Sequence, residues 1–281
     1  MMFSYSAWSA LLSTPSVSNA PLPISASTWR LLSSYALILL AKSTKEVKAP
    51  FSSLSAITRG DGVKKNAIVG QSGGPTAAIN ATLAGVIAGA VESEHIDVLY
   101  GARNGVEGML AERIVNLSAE FENDEALSLL KQTPAAALGS CRKKLPDPDD
   151  ETGRATYEAL FAFFEKYSIG YFFYIGGNDS MDTVAKLTAY AAKNNKEGIH
   201  FIGVPKTIDN DLAGTAHTPG FGSAAKYIAA TMQEILRDTA VYTVKAVTIV
   251  EIMGRDAGWL TASSALCRIV ADTSSPGAWP Q

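Results

Sequence analysis

From residue 64 onward, apolar positions alternate between two rhythms, short unbroken blocks and stripes at helical spacing, with glycine-rich breaks between them. Residues 66–69 form the first block, a predicted strand. Residues 76–91 follow with Ile79, Leu83, Val86, Ile87 and Val91 on one helical face. The pattern then predicts a strand at 95–100 and helices at 122–131 and 157–166, the second turning Phe161 and Phe164 inward. Residues 169–175 are almost wholly apolar and aromatic, as suits a strand covered on both faces. A helix at 179–192, a strand at 200–204, a helix at 223–236, a β-branched strand at 245–252 and a helix at 256–265 complete the series. Strands alternating with helices predict an α/β fold, a doubly wound and mostly parallel Rossmann-like sheet. No repeat of solenoid length interrupts it.

The two ends follow other rules. Residues 1–63 are rich in Ser, Ala, Leu and Pro and carry no acidic side chain before Glu46. The apolar run at 31–41 is broken by Ser33 and Ser34 and falls short of the roughly 20 residues a spanning helix needs. An acid-poor, Ser-rich stretch has the composition of a transit peptide, and Arg30 before apolar residues has that of a signal sequence, although the position is late for one. The reading adopted is a poorly ordered or unrelated extension at 1–63, a domain at 64–265 and an irregular tail at 266–281.

Composition narrows the function. With 281 residues, 47% of them hydrophobic, the chain can bury a sizeable core. A net charge of −3 gives no general attraction to nucleic acid or an anionic membrane, so an anionic ligand must be held by local cations and backbone amides. Two cysteines, Cys141 and Cys267, lack metal-ligand pairing and suit a reducing compartment.

Chemistry concentrates at strand ends. Gly70-Gln-Ser-Gly-Gly-Pro-Thr76 lies between a predicted strand and helix, where Gly73 and Gly74 let backbone amides approach a phosphate at a helix start. No Lys-Ser/Thr pair closes it as in a Walker loop. Gly176-Gly-Asn-Asp-Ser180 repeats the device after the next strand, setting Asn178 and Asp179 beside Gly177. Pro205-Lys-Thr-Ile-Asp-Asn-Asp211 puts a cation and two carboxylates in one loop: a carboxylate can accept a hydroxyl proton during attack on phosphorus, and a lysine can offset phosphate charge. Arg142, in Gly139-Ser-Cys-Arg-Lys-Lys144, and Arg255, in Met253-Gly-Arg255, add guanidinium forks suited to phosphate oxygens. Each motif alone has a plainer reading, as a simple turn or a solvated charge cluster. Four in one order favour a shared anion site.

In that order the four segments resemble the phosphofructokinase family over about residues 64–265, and Gly-Gly-Asn-Asp-Ser with Pro-Lys-Thr-Ile-Asp-Asn-Asp is most similar to its pyrophosphate-dependent branch. The resemblance implies transfer of phosphate from pyrophosphate to the C1 hydroxyl of fructose 6-phosphate in cytoplasmic glycolysis. Asp209 would be the base; Lys206 and Asp179 would share catalysis and donor selection. Thr207, Ile208, Asp209, Met253, Gly254 and Arg255 would contact the sugar, and Gly73, Gly74, Gly177 and Arg142 the donor phosphates. ATP-using relatives carry glycine at the places of Asp179 and Lys206, so the carboxylate is expected to repel a nucleotide's α-phosphate and the ammonium to serve bare pyrophosphate.

Mg2+ is the implied cofactor, with Asn178 and Asp179 as candidate contacts. Asn178 stands where many relatives have aspartate, and a neutral amide is a weaker ligand for a hard cation. The resemblance also implies a homo-oligomer and a further lobe after Met253-Gly-Arg255. No equivalent of that lobe is legible after Ala265, so a second lobe is expected to be incomplete or absent. The rival readings are an ATP-dependent 6-phosphofructokinase, a lipid or NAD kinase with a related glycine loop, against which the Pro-Lys-Thr-Ile-Asp-Asn-Asp segment argues, and a truncated non-catalytic phosphate-binding fragment.

Overall fold

A computed structural model describes residues 64–121, 123–254 and 256–267. Expectations for residues 1–63, for Arg255 and for most of the tail fall outside the described residues. The elements are β1 (Lys65–Gln71), α1 (Ile79–Val91), β2 (Ile96–Ala102), α2 (Gly105–Leu110), β3 (Ile114–Asn116), α3 (Leu117–Glu120), α4 (Asp124–Gln132), α5 (Glu151–Lys166), β4 (Ile169–Gly176), α6 (Asn178–Lys193), β5 (His200–Pro205), α7 (Phe221–Ala240) and α8 (Trp259–Ser263).

The strands form one sheet in the order β3-β2-β1-β4-β5. β1 pairs in parallel with both β2 and β4, and β4 in parallel with β5, whereas β3 runs antiparallel along the edge of β2. The chain builds outward from β1 to one side, then crosses back to build β4 and β5 on the other. A switch point therefore opens between the carboxyl ends of β1 and β4, where open α/β sheets collect ligands. Both edges of that crevice are glycine turns, Gly73-Gly74 and Gly176-Gly177.

Alternation along the strands feeds two cores. Ile68, Phe172 and Tyr174 face one side and pack with Val106 and Met109 of α2 and Tyr157, Leu160 and Phe164 of α5. Ala67, Val69 and Ile175 face the other and pack against Ile79, Leu83 and Ile87 of α1. The aromatic density of the first core, with Phe164 5.6 Å from Phe172 and Tyr157 stacked 4.8 Å from Tyr190, makes it the firmer anchor for β4.

Several boundaries differ from those the pattern predicts. The first helix starts at Ile79 rather than 76, because Pro75 and Thr76 belong to the turn. α5 starts at Glu151, six residues before the first apolar stripe position. Its first turn packs so closely on the preceding loop that a Cβ on Gly153 would lie 1.7 Å from the Asp147 carbonyl oxygen. α7 extends to Ala240, and α8 is shorter than 256–265. α2, β3 and α3 have no counterpart in the prediction; β3 is three residues long and carries no alternation a window can detect.

The predicted strand at 245–252 is not one. Those residues run without regular secondary structure, and Val247 and Ile249 are 89% and 91% exposed. β-branched composition makes a strand possible, but only a neighbouring strand supplies partners for its backbone N–H and C=O groups. Among the described residues none pairs with this segment.

Candidate functional site

The site begins with the end of β1. Ser72 N donates to Ile175 O (2.9 Å), which carries the turn across to β4, and Gly73 N donates to Cys141 O (2.9 Å). Gly73 adopts φ +76°, a conformation glycine reaches without Cβ strain. A Cβ there would sit 3.3 Å from Lys206 Nζ and 4.0 Å from Gly177 N. One on Gly74 would sit 3.7 Å from Arg142 Nη2. Five residues expected at the donor end, Gly73, Gly74, Arg142, Gly177 and Lys206, therefore meet at the switch point.

Lys206 is the electrostatic centre of this group. It follows β5, is fixed through its N–H to Gly176 O (2.9 Å), and is 3% exposed. Its ammonium donates to the Gly74 carbonyl at 2.5 Å. Burial, reinforced by the nearby Arg142 guanidinium, pushes the Lys206 pKa below the ordinary lysine value. A bound anion would offset both effects. Arg142 itself is exposed and can turn toward such an anion.

The rest of the loop is shaped by its own side chains. Asp209 N donates to Thr207 Oγ1 (3.0 Å), Thr218 Oγ1 donates to Thr207 O (2.7 Å), and Thr218 N donates to Asn210 Oδ1 (2.8 Å). Asn210 takes a left-handed φ of 58°, tolerated because its side chain bonds locally, with Nδ2 donating to Ala216 O (3.0 Å). Asp209 is thereby held nearly buried, three residues from Lys206 on one fixed loop. Asn178 Nδ2 donates to Asp211 Oδ2 (2.8 Å), joining the loop to the first turn of α6.

Asp179, in that same turn, pairs with Lys144 at 3.0 Å, with both side chains mainly exposed. The pattern of the sequence gives no sign of this partner. Such a pair contributes little stability, roughly 0–1 kcal/mol, but it holds the carboxylate at the rim near the Arg142 limb. Ile208 and Met253, expected on the sugar side, line one apolar cavity of about 290 Å³ with Tyr227, Ile228 and Met232 of α7. Gly254 is buried beside it, and Arg255 lies outside the described residues.

Among the described residues no three His, Cys, Asp or Glu side chains cluster as a metal site. Asn178 can offer a hard cation only its carbonyl oxygen, because an amide nitrogen is not a ligand, and the bond from its Nδ2 to Asp211 fixes the amide plane. That oxygen, with Asp179, supplies hard donors of the type magnesium takes, too few to hold the ion without ligands from a bound phosphate.

Sequence reasoning overlooked the supports beneath these groups. Ser72 Oγ donates to Cys141 O (2.9 Å) and Ser140 Oγ to Gly73 O, lacing the glycine turn to the segment that carries Arg142. Ser72 and Ser140 sit inside the motifs, so their hydroxyls were visible as candidates. Tyr174 was not: its ring packs under Gly70, and burial pushes its phenol up to about 12.

Fold and crevice together define a doubly wound α/β protein whose cationic switch-point cleft is framed by two glycine turns. Residues 66–275 match the family model described as "Phosphofructokinase", and the chain belongs to that family. It is similar to the pyrophosphate--fructose 6-phosphate 1-phosphotransferases of Halomonas elongata (46% identical over 204 residues, 72% of this chain and 48% of the relative) and Xanthomonas campestris (48% over 203 residues, 72% and 47%). Among solved structures it resembles the pyrophosphate-dependent phosphofructokinase of Nitrosospira multiformis, with TM-score 0.65 and 45% identity over 72% of this chain and 49% of that one. The chain spans about half the length of the curated relatives it matches.

Proposed function

We propose that this chain carries the donor site and catalytic base of a pyrophosphate-dependent 6-phosphofructokinase. The observation that carries the reading is the buried Lys206 ammonium against the Gly73-Gly74 turn, with Arg142 beside it. A small polyanion docked there would gain two cations at once, the Lys206 ammonium and the Arg142 guanidinium. The C1 hydroxyl oxygen of fructose 6-phosphate would attack the near phosphorus of pyrophosphate, forming a new P–O bond as the bridging P–O bond breaks. Asp209 would take the hydroxyl proton, and Lys206 would steady the orthophosphate that leaves.

Donor choice follows from the same groups. The Lys206 side chain fills the space beside Gly73, and the Asp179 carboxylate opposes a third phosphate at the rim. Thr207, Ile208, Met253, Gly254 and Arg255 would face the sugar. Magnesium would arrive with the donor and neutralise its charge, with Asn178 Oδ1 and Asp179 as the protein's oxygens. A second copy of the chain is the partner proposed to complete the sugar side. Cytoplasmic glycolysis is the setting this chemistry fits; no helix among the described residues is long and apolar enough to cross a membrane.

An assay coupled to fructose 1,6-bisphosphate, with fructose 6-phosphate, magnesium and either donor, tests the reading. Product formed with pyrophosphate and not with ATP is expected. Turnover with ATP alone would overturn the donor assignment, and pyrophosphate binding without turnover would confine the chain to donor binding.

A further inference from the structure

Two buried amides beneath the donor turn take no part in the chemistry outlined above, yet every side-chain polar atom of theirs is engaged. Gln71, the last residue of β1, and Asn80, in the first turn of α1, are 0% and 1% exposed. Gln71 Nε2 donates to Asn80 Oδ1 (2.9 Å) and to Ile79 O (3.3 Å). Leu138 N donates to Gln71 Oε1 (2.9 Å), Ala137 N donates to Asn80 Oδ1 (2.9 Å), and Asn80 Nδ2 donates to Thr133 O (2.8 Å). Residues 133–138 form neither helix nor strand, so these side chains substitute for the ladder that would otherwise hold that backbone in place.

What this stretch delivers is Gly139-Ser-Cys-Arg142. Cys141 O accepts from Gly73 N and Ser72 Oγ, Ser140 Oγ donates to Gly73 O, and Arg142 follows with its guanidinium by Gly74. The amide pair sits at the root of this seam. We propose that Gln71 and Asn80 are positioning residues of the donor site, acting through Arg142: they tie the 133–138 segment that follows α4 to the end of β1 and the first turn of α1, and so hold the guanidinium by the glycine turn. This rests on the donor-site reading above.

The test is calorimetric titration of inorganic pyrophosphate into the full chain, well below its melting temperature, for wild type, Gln71→Glu, Arg142→Ala and the double variant. Gln71→Glu keeps the acceptor for Leu138 N but turns a carboxylate oxygen on Asn80 Oδ1 and Ile79 O. Losing two buried hydrogen bonds and opposing two acceptors should raise Kd about tenfold. The same change in the Arg142→Ala background should add nothing, because the residue acts through Arg142. A lower melting temperature with unchanged Kd, or an equal loss in both backgrounds, would overturn the positioning role and leave the donor-site reading intact. Failure of the wild type to bind pyrophosphate would overturn the donor-site reading itself. Should Gln71→Glu fail to fold, Asn80→Asp carries the same cycle, since it keeps Oδ1 for Gln71 and Ala137 and loses only the donor to Thr133.

Discussion

β4 and residues 245–252 are both apolar and rich in strand-forming residues, and they end differently. β4 lies between β1 and β5, buries Phe172, Tyr174 and Ile175, and delivers Gly176-Gly177 to the cleft. The second stretch leaves Val247 and Ile249 in solvent and pairs with no strand among the described residues. Composition states only that a segment can be a strand; its neighbours decide whether it is one. The contrast maps onto function. The donor half of the proposed site is built from elements this chain packs on both sides, whereas the sugar half leans on Met253 at the end of the unpaired stretch.

Removing a ring from the packed side is the harshest way to break this comparison. Phe164→Ala should cost about 3–5 kcal/mol, read as loss of stability in urea melts. A loss below about 1 kcal/mol would mean that the aromatic core does not anchor β4. Next in size is the donor switch. Asp179→Gly with Lys206→Gly should weaken pyrophosphate use about 10- to 100-fold and admit ATP, since charge-assisted contacts to phosphate are each worth roughly 1.5–3 kcal/mol. An unchanged donor ratio would refute the roles given to both residues.

A pH titration gives a gentler probe of Lys206. Its depressed pKa means that the free folded chain sheds this proton below the ordinary lysine range, whereas the unfolded chain keeps it up to that range. Between the two values the unfolded state binds more protons, so the contribution of Lys206 makes stability rise with pH across that window. Pyrophosphate needs the ammonium, so its affinity should fall across the same window with proton uptake on binding. An affinity independent of pH there would contradict the buried contact. Smallest is the effect on the unpaired stretch: Val247→Lys with Ile249→Lys should shift stability by no more than about 0.5 kcal/mol per site, as suits exposed positions. A large loss would show that these side chains are covered in solution.

Much of this was legible in the chain. The parallel sheet announced itself because strands buried on both faces read as apolar blocks, and the glycine turns fell at their ends. The meeting of Gly73, Gly177, Lys206 and Arg142 followed from fold class plus motif order. What escaped notice has physical reasons. β3 is too short to show a period, and α5 begins with polar residues around a glycine that packs on backbone. Gln71 lies inside the first glycine motif, but Asn80 lies outside it nine residues on, and neither hydrophobic patterning nor motif spacing pairs the two. Lys144 is one of three consecutive basic residues, and nothing in its spacing singles out Asp179 as its partner.

The central claim is that a buried ammonium on the glycine turn receives pyrophosphate. Titrating pyrophosphate into the wild type and into Lys206→Met, which keeps the length of the side chain and drops its charge, tests this most directly. The account predicts binding by the wild type, loss of about 10-fold or more in the variant, and a folded state no less stable for losing a buried charge. Equal affinity in the two proteins would contradict it.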